Sequence, residues 1–215
     1  DALIASQDAI RNLLEPFKDK EVGAVCGRQL PHFGAKPIGA HARFFNYPDR
    51  SKVRNFSDVH RLGMKTAFIS NSFAAYRREA LMAVGGFPSD VILGEDMLVA
   101  AYMLRTGWKV AYCAEAAVRH SHDYSFLQEF RRYFDIGVMH HQESWLLETF
   151  GKPEGEGMRF VRSELSYLAR RAPWLIPSAL VRTGLKYLGY RCGRYHRRLP
   201  TTLCRHLSMH KGYWD

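Results

Sequence analysis

The segment from Gly94 to Gly107 constrains this chain more than any other. Met97, Ala100, Ala101 and Leu104 fall at i, i+3, i+4 and i+7 and Gly107 supplies a stop, which predicts an amphipathic helix over residues 95–106. Its first turn carries Glu95 and Asp96, where the partial positive charge of a helix N-terminus stabilises carboxylates. Short apolar runs at 108–113 and 117–120 then read as two strands, the second ending on His120. Two acids heading a helix, with a histidine on the returning strand, suggest a general base and a metal ligand converging on one pocket.

The flanking segments fill in an α/β pattern. Residues 1–19 space Leu3, Ile10, Leu13, Leu14 and Phe17 as a helix, and 22–28 read as a short buried strand. A long stretch rich in Pro, Gly and aromatics follows, with a short helix over 38–45; loops of this length in compact domains tend to be functional. Residues 65–76 read as strand, polar kink at Ser70-Asn71-Ser72, and strand. A short helix over 77–84 is closed by Gly85-Gly86. Further helices are expected over 126–141, 158–170 and 178–189, with 151–157 a linker by its glycine content.

Composition bounds the class. At 215 residues, 47% of them hydrophobic, the chain can bury one substantial core and carry an appended helical segment. The sequence has no apolar run of about eighteen residues and no signal-peptide pattern, which argues against membrane-spanning and secreted classes. Cys26, Cys113, Cys192 and Cys204 are scattered without a C-x-x-C pair, as in a reducing, cytoplasmic compartment. Residues 159–215 hold 12 Lys plus Arg against 2 Asp plus Glu, so this tail carries the whole net charge of +10. Such an appendage meets something anionic or stays solvated. Its histidines and cysteines match no zinc-finger spacing.

Four segments, in this order, carry a family resemblance: Glu21-Val22-Gly23-Ala24-Val25; Ser70-Asn71-Ser72-Phe73-Ala74-Ala75-Tyr76-Arg77-Arg78-Glu79-Ala80-Leu81; Gly85-Gly86-Phe87; and Gly94-Glu95-Asp96. Together they resemble the second half of a family 2 glycosyltransferase of GT-A fold, and most nearly the bacterial rhamnosyltransferase subgroup, over residues 1–141. The resemblance implies an α/β fold, the C-terminal half of a GT-A domain with a mixed sheet, followed by a helical basic tail. The expected division is an acceptor and catalytic half at 1–150, a linker at 151–157 and the tail at 158–215. The nucleotide-binding half lies outside the chain on this reading, so the isolated polypeptide is expected to have little or no transferase activity.

The same resemblance implies site residues. Asp96 takes the place of the general base toward the acceptor hydroxyl, and Glu95 that of a residue orienting acceptor or base. His120 takes the place of a histidine that completes a divalent cation site, with His122 as the fallback; imidazole suits Mn²⁺ better than Mg²⁺. The family holds its cation with an Asp-x-Asp motif, and no such motif occurs here. Related rhamnosyltransferases carry Thr-Gln-Asp-Ala instead, and Asp1-Ala2 matches its end, which makes Asp1 a candidate metal ligand. Ser70 and Asn71 either bind donor sugar or diphosphate or simply form a turn. Arg131 and Arg132 sit in a loose likeness to a Gln-x-x-Arg-Trp segment that contacts diphosphate, or else are surface charge. The implied reaction transfers a sugar with inversion, rhamnose from dTDP-rhamnose, onto a saccharide or lipid-linked acceptor.

The tail itself reads as an interfacial helix. Val181, Leu185 and Leu188 share a face with Arg182, Lys186, Arg191, Arg194, Arg197 and Arg198 around it, as suits an anionic membrane surface and a peripheral position at the inner face of the cell membrane. The competing reading is a non-catalytic basic protein binding membrane or nucleic acid. No nucleic-acid motif is recognisable in the tail, and a neutral body would then lack a purpose.

Overall fold

A computed structural model describes residues 2–151 and 154–215. The chain opens with β1 (Leu3–Ile4), α1 (Ala9–Leu14), β2 (Val22–Leu30), α2 (Pro37–Asn46), β3 (Lys52–Arg54), α3 (Val59–Leu62), β4 (Ala74–Tyr76) and α4 (Arg78–Ala83). It continues through α5 (Glu95–Arg105), β5 (Lys109–Arg119), α6 (Phe126–Gln142) and α7 (Ser144–Phe150) into α8 (Glu154–Arg171), α9 (Ile176–Arg194) and α10 (Thr201–Leu207). The strands form one mixed sheet in the order β1-β5-β2-β4, with β3 also paired to β5. β2 and β5 run parallel at its centre, and the other pairings are antiparallel. This is the mixed α/β architecture that the resemblance implies, with helices following the sheet.

Helix α5 is the core's axis. Leu98, Val99, Ala100, Ala101, Met103 and Leu104 are all buried, so the helix is enclosed on most sides rather than along the single stripe its periodicity suggested. Around it pack Phe134, Val138 and Met139 of α6, Leu146 and Phe150 of α7, and Val110 and Tyr112 of β5. A smaller cluster on the other face of the sheet joins Leu13 of α1 to Val22, Val25 and Ala111.

Several sequence expectations need correction. Residues 1–19 are not one helix: Leu3 and Ile4 pair with Arg119 and Val118 of β5, and α1 gives way to a 3₁₀ turn, Glu15–Lys18, where Pro16 removes a backbone donor. The first strand expected in 65–76 is instead a 3₁₀ turn, Gly63–Ala67, which buries Thr66 and Ala67; only Ala74–Tyr76 finds a pairing partner, in β2. The two strands expected at 108–120 are one, β5, with an irregularity where Gly27 lies opposite Cys113 and Arg28 opposite Ala117. Helix α8 begins at Glu154, inside the stretch read as linker. Its Glu156 pairs with Lys65 and Arg159, and a Cβ at Gly155 or Gly157 would meet nothing.

The tail is a packed layer. α9 lies across α6 at a contact made by Gly137, Gly189 and Gly193, where a Cβ at Gly193 would come 2.0 Å from the Phe134 carbonyl oxygen. Arg182 and Lys186, expected at a membrane-facing surface, turn inward to the buried Glu129 at 3.4 and 3.6 Å, and Arg194 donates to the His140 carbonyl at 3.0 Å. Charges buried in this way need a partner, and Glu129 supplies it. Leu180, Val181, Tyr187 and Leu188 of α9 stay exposed on one side of the helix, with Arg191 beside them.

Candidate active site

A tight turn, Thr106–Trp108, folds α5 back against β5, so the head of α5 returns to the end of the sheet where β2 and β5 finish. Gly94 makes this entry possible: at φ +81° it adopts the left-handed conformation that other residues avoid, and the helix starts on the next residue. Glu95 and Asp96 are thereby presented at the C-terminal edge of the parallel strands, where ligands bind in open α/β sheets.

Asp96 is held from two sides. Its Oδ2 accepts the backbone N–H of Asn71 at 3.1 Å, and its Oδ1 accepts that of Met97 at 2.7 Å. Asn71 reaches on with its side chain, donating Nδ2 to Glu95 Oε1 at 2.9 Å and accepting from the Tyr76 hydroxyl at 2.7 Å. Burial pushes the Asp96 carboxyl above the ordinary aspartate range, and the neighbouring Glu95 charge adds to this, while the Asn71 and Met97 amides oppose it. An aspartate with a raised pKa is a stronger base than a free one, as proton abstraction near neutral pH requires. Burial, then the Asp96 and Glu95 charges, also raise the pKa of the half-buried Tyr76 hydroxyl, so it stays a donor to Asn71.

A hydrogen-bonded floor leads from this carboxylate toward the end of β5. Ser70, next to Asn71, accepts from Gln29 Nε2 at 2.9 Å, and Gln29 Oε1 accepts from Arg43 Nη1 at 2.5 Å. Gln29 is 1% exposed, so its amide is committed to these two partners. Arg43 in turn lies within electrostatic reach of His120 and His122. His120 N–H donates to the Leu30 carbonyl, which fixes the end of β5 to the end of β2. Asp96 and His120 therefore stand at one edge of the sheet, linked through Asn71, Ser70, Gln29 and Arg43 rather than touching.

The histidines sit in a cationic corner. His120 Nε2 and His122 Nε2 are 3.1 Å apart, so one ring donates to a neutral partner. Burial, then Arg43 and His32, lower the His120 pKa; burial, His120 and both Arg43 and Arg132 take His122 down to about 4. His120 Nδ1 is buried and has no hydrogen-bond partner among the described residues, so it fits a single protein ligand to a cation. Among the described residues no group of three or more metal-binding side chains converges. Asp1, the other expected ligand, lies outside the described residues.

The remaining expected residues divide. Arg132 is exposed on α6 with its guanidinium 5.7 Å from the Tyr124 ring centre, on the side of His122, whereas Arg131 Nε donates to the His206 carbonyl of the tail at 3.1 Å. One residue along a helix turns a side chain by about 100°, which sends the pair to different neighbours. Gln128 is occupied by a reciprocal cap with Ser125. Sequence reasoning missed Gln29, Arg43 and Tyr76. A glutamine inside an apolar strand was the available signal for the first; Arg43 gives none without its partners.

Comparison with known proteins gives the family. A model of the family described as glycosyltransferase like family 2 matches residues 1–134. The O-antigen chain rhamnosyltransferase RfbN of Salmonella typhimurium is 52% identical over the whole chain, which covers 68% of that protein. The O-antigen chain rhamnosyltransferase WbaN of Salmonella anatum is 51% identical with the same coverage. No solved structure matches significantly. With more than half of the chain matched by the family model, and two such relatives spanned over two thirds of their length, this chain belongs to the family 2-like glycosyltransferases.

Proposed function

We propose that this chain supplies the acceptor and catalytic part of a transferase that moves rhamnose from a nucleotide-activated donor, dTDP-rhamnose, onto a saccharide acceptor of a surface polysaccharide, with inversion at the anomeric carbon. The two rhamnosyltransferase relatives support the sugar, and the position of Asp96 supports the chemistry. Asp96 takes the proton of the acceptor hydroxyl as that oxygen forms its bond to the anomeric carbon. The bond from the anomeric carbon to the donor phosphate oxygen breaks on the opposite face, and its electron pair leaves with the nucleoside diphosphate. Attack opposite the leaving group is what inverts the centre. Glu95, held by Asn71, orients the acceptor, and Ser70 and Asn71 line the floor between base and leaving group.

Negative charge accumulates on the leaving diphosphate, and the opposite end of the floor is cationic. His120 is the residue proposed to hold a divalent cation, Mn²⁺ or Mg²⁺, through Nδ1, with Asp1 as a second ligand. Such a cation, when bound, offsets the charge of the departing phosphate oxygens. Arg132 faces this end and is assigned to diphosphate; Arg131, engaged with the tail, is assigned to fixing α6.

A lipid-linked acceptor would place the enzyme at the inner face of the cell membrane. Among the described residues no helix is long and apolar enough to cross a membrane. The exposed apolar side of α9 with Arg191 supports a peripheral contact, each basic residue near an anionic leaflet contributing about 1 kcal/mol. The observation that carries the transferase mechanism is the half-buried carboxylate of Asp96 at the head of α5, held by the Asn71 and Met97 amides and raised above the ordinary aspartate range. Asp96→Asn keeps the shape and removes the base. In a protein that also carries the nucleotide-binding half, its kcat for rhamnosyl transfer should fall by roughly two to four orders of magnitude with circular dichroism unchanged. Transfer at the native rate would rule Asp96 out.

A further inference from the structure

We infer that Arg43, a residue outside every motif above, anchors a phosphate-binding pocket at the cationic end of the site. The inference rests on the proposed transferase function only for which phosphate group fills it. Arg43 is half-buried on α2, and its Nε is buried with no hydrogen-bond partner among the described residues. Of its donors, Nη1 is used, on the amide oxygen of Gln29. Among the described residues it joins no ion pair.

The surroundings make that isolation costly. Tyr47, which is buried, puts its ring 5.6 Å from the guanidinium, and Tyr124 lies within electrostatic reach. Among the described residues the charged group felt at Arg43 is another cation, Arg132, and His120 and His122 add imidazoles to the same corner. Burial already depresses the Arg43 pKa. An unpaired guanidinium in such a place destabilises the empty protein, because its desolvation is not repaid by a counter-charge. Arg182 and Lys186 have Glu129 as a partner, whereas no described residue offers Arg43 a carboxylate; the more deeply buried Arg54 likewise joins no ion pair among the described residues but gives a donor to the Lys65 carbonyl.

A planar fork of donors with a free edge, next to a second guanidinium and an aromatic wall, suits a phosphate better than a single carboxylate. Gln29 holds the fork from below and, through Ser70 and Asn71, ties it to the Asp96 end. A diphosphate seated on Arg43 and Arg132 would therefore lie at one end of a floor whose other end is the base. Two sources share this chemistry: the nucleoside diphosphate of the donor and the diphosphate of a prenyl-linked acceptor.

Calorimetric titration with inorganic pyrophosphate, dTDP and farnesyl diphosphate separates them. Replacing Arg43 by Gln should weaken pyrophosphate binding about 10- to 100-fold, the loss of one or two charge-assisted hydrogen bonds. The ligand-free melting temperature should stay level or rise, since an uncompensated charge has been removed. An equal loss for dTDP alone assigns the pocket to the donor, and for farnesyl diphosphate alone to the acceptor. Arg132→Gln, on an exposed side chain, should weaken the same ligand about tenfold. The pocket is overturned if the native protein binds none of the three, if Arg43→Gln changes every affinity less than about threefold, or if that variant melts much lower or fails to fold, which marks a structural arginine. Asp96→Asn run alongside should lose transfer and keep pyrophosphate. If it keeps transfer, the base assignment fails while the pocket stands.

Discussion

The crossing of α9 over α6 offers the sharpest test of the fold, because one helix carries both a glycine that cannot change and one that can. A methyl group at Gly193 would lie 2.0 Å from the Phe134 carbonyl oxygen, 2.9 Å from its carbon and 3.0 Å from the Gly137 Cα. Ordinary contact begins at 3.4 Å, so the two helices would have to part by about 1.4 Å. The obstacle is helical backbone, which has no rotamer to move into. Overpacking of this kind costs roughly 1–3 kcal/mol, and a rigid obstacle points to the upper end. Replacing glycine by alanine inside a helix returns only about 0.8–1.0 kcal/mol. The clash wins, with a net loss near 2 kcal/mol. For a chain of this size that lowers the melting temperature by roughly 4–8 °C. Gly184, on the same helix, would place its Cβ against nothing within 4 Å, so Gly184→Ala should gain up to about 1 kcal/mol and melt slightly higher. Thermal melts followed by circular dichroism at one pH compare the two directly. If Gly193→Ala melts at or above Gly184→Ala, the close approach of α6 and α9 is wrong, and with it the inward placement of Arg182 and Lys186.

Two further expectations concern the site and the tail. Glu95→Gln keeps an acceptor for Asn71 but removes a negative charge that raises the Asp96 pKa, so the acid limb of kcat/KM against pH should move to lower pH; burial still holds it above the ordinary aspartate range, and an unmoved or raised limb would refute the coupling. Leu188→Glu on the exposed side of α9 should reduce co-sedimentation with vesicles containing anionic lipid several-fold while leaving the fold intact, and equal binding by both proteins would remove the membrane contact from α9.

Much of the scaffold was legible because its signals are local. The 3.6-residue spacing and Gly107 gave α5 to within a residue, and that alone positions Asp96. β2, α2, α4 and α6 follow from equally short-range patterns. What stayed hidden depends on partners distant in sequence. Leu3 and Ile4 have helical spacing with their neighbours, yet a free edge of β5 more than a hundred residues away claims them. Arg182 and Lys186 look like solvent-facing charges until Glu129, 53 residues upstream of Arg182, is found buried beneath them. Arg43 and Gln29 belong to the site only through a contact across 14 residues and another, from Gln29 to Ser70, across 41. Periodicity cannot register such pairings, since each residue obeys the ordinary rules of its own helix or strand.

The irregularity in β5 sets where the strand's last residues point. Ala114, Glu115 and Ala116 have no opposite number in β2, and they are pinned at the Ala114 N–H by the Ser51 hydroxyl and at the Glu115 carbonyl by Asn12. Side chains alternate sides along a strand, so deleting one of these three would rotate everything beyond them by half a turn. His120 would swing to the reverse of the sheet while Asp96, reached before the strand begins, would not move. Ala114, Glu115 and Ala116 thus set the phase of the end of β5, and a shortened strand would turn His120 away from the face of the sheet it now occupies.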